Sequence, residues 1–131
     1  MAAKIAFDLV SPEKLLLSAQ ADMVTVPGTE GYMGVMAGHS PVVTTLRAGM
    51  IDVNVNGTDD RYFIRGGFAE IGPTKINVLA EEAIPMTEMD LAVLDQRISD
   101  AQEDELAAET DADRSRAAQL VDDLKLVRAA F

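Results

Sequence analysis

Apolar and polar positions alternate from the start of the chain. Ile5, Phe7 and Leu9 are interleaved with Lys4, Ala6 and Asp8, the two-residue period of a strand with one buried face. Ser11-Pro12-Glu13 ends this run, and Lys14 to Ala21 is predicted as the next strand, followed by Met23 to Val26. A glycine-dense segment comes next, then Val42 to Leu46 and a turn at Ala48-Gly49. Ile51, Val53 and Val55 again alternate with Asp52, Asn54 and Asn56, so one face is dry and the other wet. Asn56-Gly57-Thr58-Asp59-Asp60 has hairpin chemistry. Tyr62 to Arg65 should return antiparallel and be interrupted at Gly66-Gly67. Phe68 to Ile71 and Lys75 to Leu79 flank Gly72-Pro73-Thr74, a second hairpin. About eight to ten short strands with frequent turns predict an antiparallel β-sandwich or barrel.

The period changes after Pro85, beyond which there is neither glycine nor proline. Thr87-Glu88-Met89-Asp90 has the spacing of an N-terminal helix cap. Leu91, Leu94, Ile98 and Ala101 then recur at helical spacing, as do Ala117, Leu120, Leu124, Val127 and Phe131. With Asp111 or Asp113 as a second cap and a polar turn near Glu109–Ala112, these stripes predict an antiparallel helical hairpin. Each helix, at roughly 18 residues, spans about 27 Å. Large apolar groups are too few to offset the ordering of so short a segment, so the hairpin is expected to dock on another surface and to undock. The fold class is α+β: a β-sandwich domain over 1–85 and a helix-turn-helix domain over 86–131.

Composition narrows the function classes. The net charge is −11, which opposes a nucleic-acid backbone or an anionic membrane surface as partner. There is no cysteine, which removes disulfides, thiol catalysis and the common zinc sets. No apolar run reaches the ~20 residues that span a bilayer. The N-terminal residues lack the apolar core of a signal peptide, and a soluble cytoplasmic protein is expected.

The segment from Pro27 to Pro41 gathers glycines 28, 31, 34 and 38 and the only histidine, His39. Glycines so spaced predict successive tight turns, and Tyr32, Met33 and Met36 among them suit a contact surface. Nucleotide binding is disfavoured: Gly34-x-x-x-Gly38-His39-Ser40 is one residue short of the phosphate-loop spacing and has histidine where lysine is required. His39-Ser40 invites a hydrolase reading, but adjacent residues on one turn do not form a nucleophile–base pair, and no nucleophile elbow is present. A structural, turn-tying histidine is the better reading. Glu103-Asp104-Glu105 lacks the glycine and alternating ligands of a calcium loop and reads as a solvated helix face. No catalytic, cofactor-binding or metal-ligating residue is assigned.

Several motifs occur in order: Phe7-x-x-Val10-Ser11-Pro12-Glu13, then Val26-Pro27-Gly28-x-x-Gly31-x-x-Gly34-Val35-x-x-Gly38-His39-x-Pro41. Leu46-x-x-Gly49-x-Ile51, Gly66-Gly67-Phe68-x-Glu70 and Val78-Leu79-Ala80 follow. Together with the terminal helices, this set resembles the epsilon subunit of bacterial F-type ATP synthase. The resemblance implies a flattened β-sandwich, a C-terminal helix-turn-helix, and no catalysis. It implies a central-stalk rotor subunit bound to the gamma subunit and resting on the c-ring, coupling proton-driven rotation to ATP synthesis. Contact of the helices with the alpha/beta subunits, and a place on the cytoplasmic face of the inner membrane, belong to the same expectation. Gly31, Tyr32, Met33 and His39 are carried over as contact positions for gamma or the c-ring, although relatives often have an acid where this chain has Tyr32.

The hairpin departs from the regulatory pattern of that family. Some relatives bind ATP through Ile/Leu-Asp-x-x-Arg-Ala, whereas Met89-Asp90-Leu91-Ala92-Val93-Leu94 has Val93-Leu94 where that motif has Arg-Ala. Residues 86–131 hold five Lys/Arg and twelve Asp/Glu, a poor match to an acidic partner surface. Arg114, Arg116, Lys125 and Arg128 are the basic residues of the second helix, and three of them share one side. The expected regulatory effect on ATP hydrolysis is therefore weak. The alternative is an ATP-sensing module whose hairpin closes over nucleotide.

Overall fold

A computed structural model describes residues 3–131. They form two compact units that meet in sequence between Met86 and Thr87. Eight strands make up the first: β1 (Ile5–Val10), β2 (Leu15–Ala21), β3 (Met23–Gly28), β4 (Gly31–Val35), β5 (Val42–Thr45), β6 (Gly49–Val55), β7 (Thr58–Ile71) and β8 (Lys75–Pro85). Their order is β2-β1-β8-β7-β6-β3-β4, with β5 pairing to β7 beside that path.

The alternation in the sequence sets the core. In β1, Ile5, Phe7 and Leu9 are fully buried, and in β6 so are Ile51 and Val53. They join Val24, Val26, Val35, Ile64, Ile76 and Val78 in one cluster, the interior of the β-sandwich. Asn56 and Gly57 both take positive φ, 53° and 83°, and set Val55 opposite Thr58 across the β6–β7 turn, as such a dipeptide does.

One pairing in the otherwise antiparallel sandwich is parallel. β1 runs parallel to β8, with Ala6 opposite Lys75 and Val10 opposite Leu79. Gly66-Gly67 does not interrupt β7. The register with β8 carries on from Arg65 opposite Glu82 to Gly67 opposite Ala80. On its other edge β7 changes partner, from β6 at Thr58–Ile64 to β5 at Phe68–Ile71. The glycines lie at that exchange. Gly67 has φ +106°, and a Cβ there would lie 2.0 Å from the Leu79 carbonyl oxygen, so no side chain fits.

The second unit holds α1 (Leu91–Ala107) and α2 (Asp111–Arg128). Both caps differ from the expected residues. A 3₁₀ turn over Met86–Glu88 occupies the position expected for the first cap, and α1 is instead capped by Asp90, which accepts from the Ala92 and Val93 amides. Thr110, not Asp111 or Asp113, caps α2 by accepting from the Asp113 amide at 3.1 Å, leaving those two acids in the first turn, where the helix dipole favours them. The buried residues are Leu94 and Ala101 on α1 and Val121, Asp123, Leu124 and Val127 on α2. Phe131, expected on the stripe, lies beyond α2 and is exposed.

Candidate functional site

The glycine-dense segment is more regular than a run of turns. β3 extends through Pro27 and Gly28, and β4 returns from Gly31, pairing Val26 with Met33 and Pro27 with Tyr32. Thr29 and Glu30 form the tip. Three threonines fasten that tip to β5. Thr29 Oγ1 lies 2.7 Å from Thr45 Oγ1 and donates to the Thr45 carbonyl at 3.1 Å, while the Thr29 amide donates to Thr44 Oγ1 at 3.5 Å. Gly28 also bridges Leu46.

Between tip and β5 lies an open groove of about 440 Å³, lined by Gly28–Met33 and Val42–Thr44. Its rim is apolar and accessible: Val43 is 68% exposed and Tyr32 43%. Such a surface suits contact with another protein. It holds no nucleophile–base pair, and among the described residues no cluster of His, Asp and Glu could hold a metal ion.

Three of the four residues singled out by sequence, Gly31, Tyr32 and Met33, line this groove. Met33 also packs partly against the core. Tyr32 bends back over its own sheet, its hydroxyl accepting from the Met50 amide at 3.1 Å. His39 stands apart, on the turn after β4. Its Nδ1 donates to the Ser40 carbonyl at 2.7 Å and its amide donates to the Met36 carbonyl. Gly38 ties that turn to the β7–β8 turn through the Pro73 carbonyl, 2.7 Å away. Val42, Val43 and the threonines were missed by sequence reasoning, because a short β-branched run reads as an ordinary strand.

The basic residues of α2 are mostly matched within the hairpin. Arg114 pairs with Asp111 at 2.9 Å and also donates to the Ala108 carbonyl. Arg116 pairs with Asp113. Arg128 reaches across to Asp95 of α1 at 2.8 Å. Lys125 makes no ion pair among the described residues. The Arg116 side-chain hydrogen bond, then that from Thr110, holds the Asp113 carboxyl below its ordinary pKa.

Strand order, core and groove define a class, and comparison with known proteins gives it a name: residues 4–86 match the family described as the ATP synthase delta/epsilon chain, beta-sandwich domain. Along its whole length the chain is similar to the ATP synthase epsilon chain of Parvibaculum lavamentivorans, 50% identical over 129 residues covering 98% of each. It is also similar to the epsilon chain of Mesorhizobium japonicum, 44% identical over 132 residues, covering 100% of this chain and 98% of that one. The chain belongs to the ATP synthase epsilon-chain family. Among solved structures, a chain of the Euglena gracilis mitochondrial ATP synthase complex of OSCP, F1 and c-ring superposes with a TM-score of 0.79 at 27% identity, covering 98% of this chain and 81% of that one.

Proposed function

We propose that this chain is the non-catalytic rotor subunit of a bacterial F-type ATP synthase, seated in the central stalk at the cytoplasmic face of the inner membrane. Its sandwich binds the gamma subunit and rests on the c-ring, so that proton-driven rotation of the ring is transmitted to the sites of ATP synthesis. The observation that carries this reading is the match over 98% of both chains to an ATP synthase epsilon chain. The groove between the β3–β4 tip and β5, with Gly31, Tyr32 and Met33 on it and His39 on the adjoining turn, is the face offered to the c-ring. No helix among the described residues is long and apolar enough to cross a membrane, which fits a peripheral place. The test is recovery of the tagged chain from its own cells: gamma and the c-ring should dominate the eluate. An eluate without either overturns the proposal.

The hairpin in this reading restrains ATP hydrolysis only weakly. Arg114, Arg116 and Arg128 already face carboxylates of the hairpin itself, so an acidic partner must compete for them, and exposed pairs contribute only ~0.2–1 kcal/mol each. Deleting residues 87–131 from the assembled enzyme should raise hydrolysis less than about fivefold. A rise of tenfold or more with synthesis preserved contradicts weak restraint.

A further inference from the structure

A break in the sheet behind the groove explains what Tyr32 does. β3 pairs with β6 through Met23–Asn54, Val24–Val53 and Thr25–Asp52, and there the regular pairing stops. Continued by two residues, that register would set Pro27 opposite Met50. Proline has no amide hydrogen to give to a ladder, and its carbonyl is already engaged by the Arg47 amide at 2.9 Å. The Pro27 carbonyl is turned to Arg47, and the β3–β6 ladder does not reach the Met50 amide. Instead that amide donates to the Tyr32 hydroxyl, which arrives from β4 on the far side of β3. Space for the ring is kept by Gly49: a Cβ there would lie 2.6 Å from Tyr32 Oη and 2.9 Å from Pro27 Cβ.

We infer that Tyr32 is a positioning residue, whose hydroxyl takes the place of the missing ladder acceptor and thereby fixes the β3–β4 tip against β6. This rests on the reading of the groove as the c-ring face, and it changes the role of Tyr32 within it. Its side chain sets the pose of the tip, and the contact is left to Gly31, Met33, Val42 and Val43. An amide without a partner is unfavourable, so loss of one oxygen loosens the tip, which the threonines still tie to β5, while the β1 side of the core cluster stays packed.

Two arms test this. In the isolated full chain, amide exchange followed by NMR should show Met50 protected as strongly as neighbouring ladder amides. Tyr32→Phe should speed exchange at Met50 and at Gly31–Met33 at least tenfold, with no change at Ile5–Leu9. In the reconstituted enzyme, Tyr32→Phe should lower ATP-driven proton pumping at least twofold per ATP hydrolysed, and Val43→Asp serves as a contact control. An unprotected Met50 amide in the unaltered chain overturns the proposal, whatever the variant does. So does faster exchange in Tyr32→Phe with pumping unchanged while Val43→Asp lowers it, a result that leaves the c-ring reading standing. If neither variant alters pumping, the c-ring reading of this face falls, and the positioning role with it.

Discussion

In the sandwich, residues far apart in sequence are neighbours: Ala6 lies opposite Lys75, and Met23 opposite Asn54. In the hairpin the two helices are consecutive, joined by the short turn at Ala108–Thr110. The sandwich encloses fully buried Phe7, Ile5, Leu9, Ile51 and Ile76 behind backbone ladders. The hairpin has Leu94, Val121, Leu124 and Val127 on its seam, together with a buried carboxylate, Asp123, that accepts from Gln119. Surface charge is marginal to a domain with a large apolar core. It weighs more where caps and ion pairs, Asp90, Thr110 and Arg128–Asp95, stand beside a thin seam.

Separating the two units is the severest test of that contrast. A chain ending at Met86 should melt cooperatively with its β-sheet circular dichroism intact. A peptide of residues 87–131 alone should show a small fraction of its helix, because short helices without a substantial core are marginal in water. A well-ordered hairpin in isolation would erase the distinction. Next in size is Gly67→Val, which places a branched side chain at φ +106° against the Leu79 carbonyl. It should cost about 3 kcal/mol or more in chemical denaturation, with the loss confined to the sandwich. Thr110→Ala removes the α2 cap and should cost about 1 kcal/mol, read as faster amide exchange in the first turn of α2.

The smallest effect is acid titration. The Lys4 side-chain hydrogen bond, then the Asn56 backbone amide, hold the Asp22 carboxyl below its ordinary pKa, and Asp113 is lowered likewise by Arg116 and Thr110. A depressed folded value means that the contribution is complete above the unfolded pKa, near 4, and fades as pH falls through the folded one. Asp22→Asn should therefore be less stable than the unaltered chain at pH 7, and the gap should begin to narrow at about pH 4 and close as pH falls through the lowered folded value. A gap that persists unchanged at the lowest pH would detach Asp22 from the effect.

What could be read from the residues, and what could not, follows the range of each interaction. Ile5–Phe7–Leu9 and Ile51–Val53 announced their buried faces because side-chain alternation is local, and Asn56-Gly57 announced its turn for the same reason. The parallel β1–β8 pairing was hidden, since nothing in Ala6 or Lys75 names the other. Local rivalry displaced the first cap: Thr87 had the right spacing, but a 3₁₀ turn took it and left Asp90 to cap α1. In the groove, Gly31, Tyr32 and Met33 were legible as a cluster. That the Tyr32 hydroxyl would meet the amide of Met50 was not, because its acceptor role depends on Pro27 and Gly49 from two other strands.

The parallel partnership of β1 and β8 also sets a timetable for biosynthesis. Ile5, Phe7 and Leu9 leave the ribosome early, yet the strand that flanks them, beginning at Lys75, is among the last of the sheet to be made. At roughly 5–20 residues per second, that interval is on the order of several seconds. Throughout it β1 has only β2 for company, and one edge of a strongly apolar strand stays open to stray pairing. The helices carry no such separation: α1 and α2 are consecutive in the chain. The nascent chain is thus most in need of a chaperone before its final third has been translated.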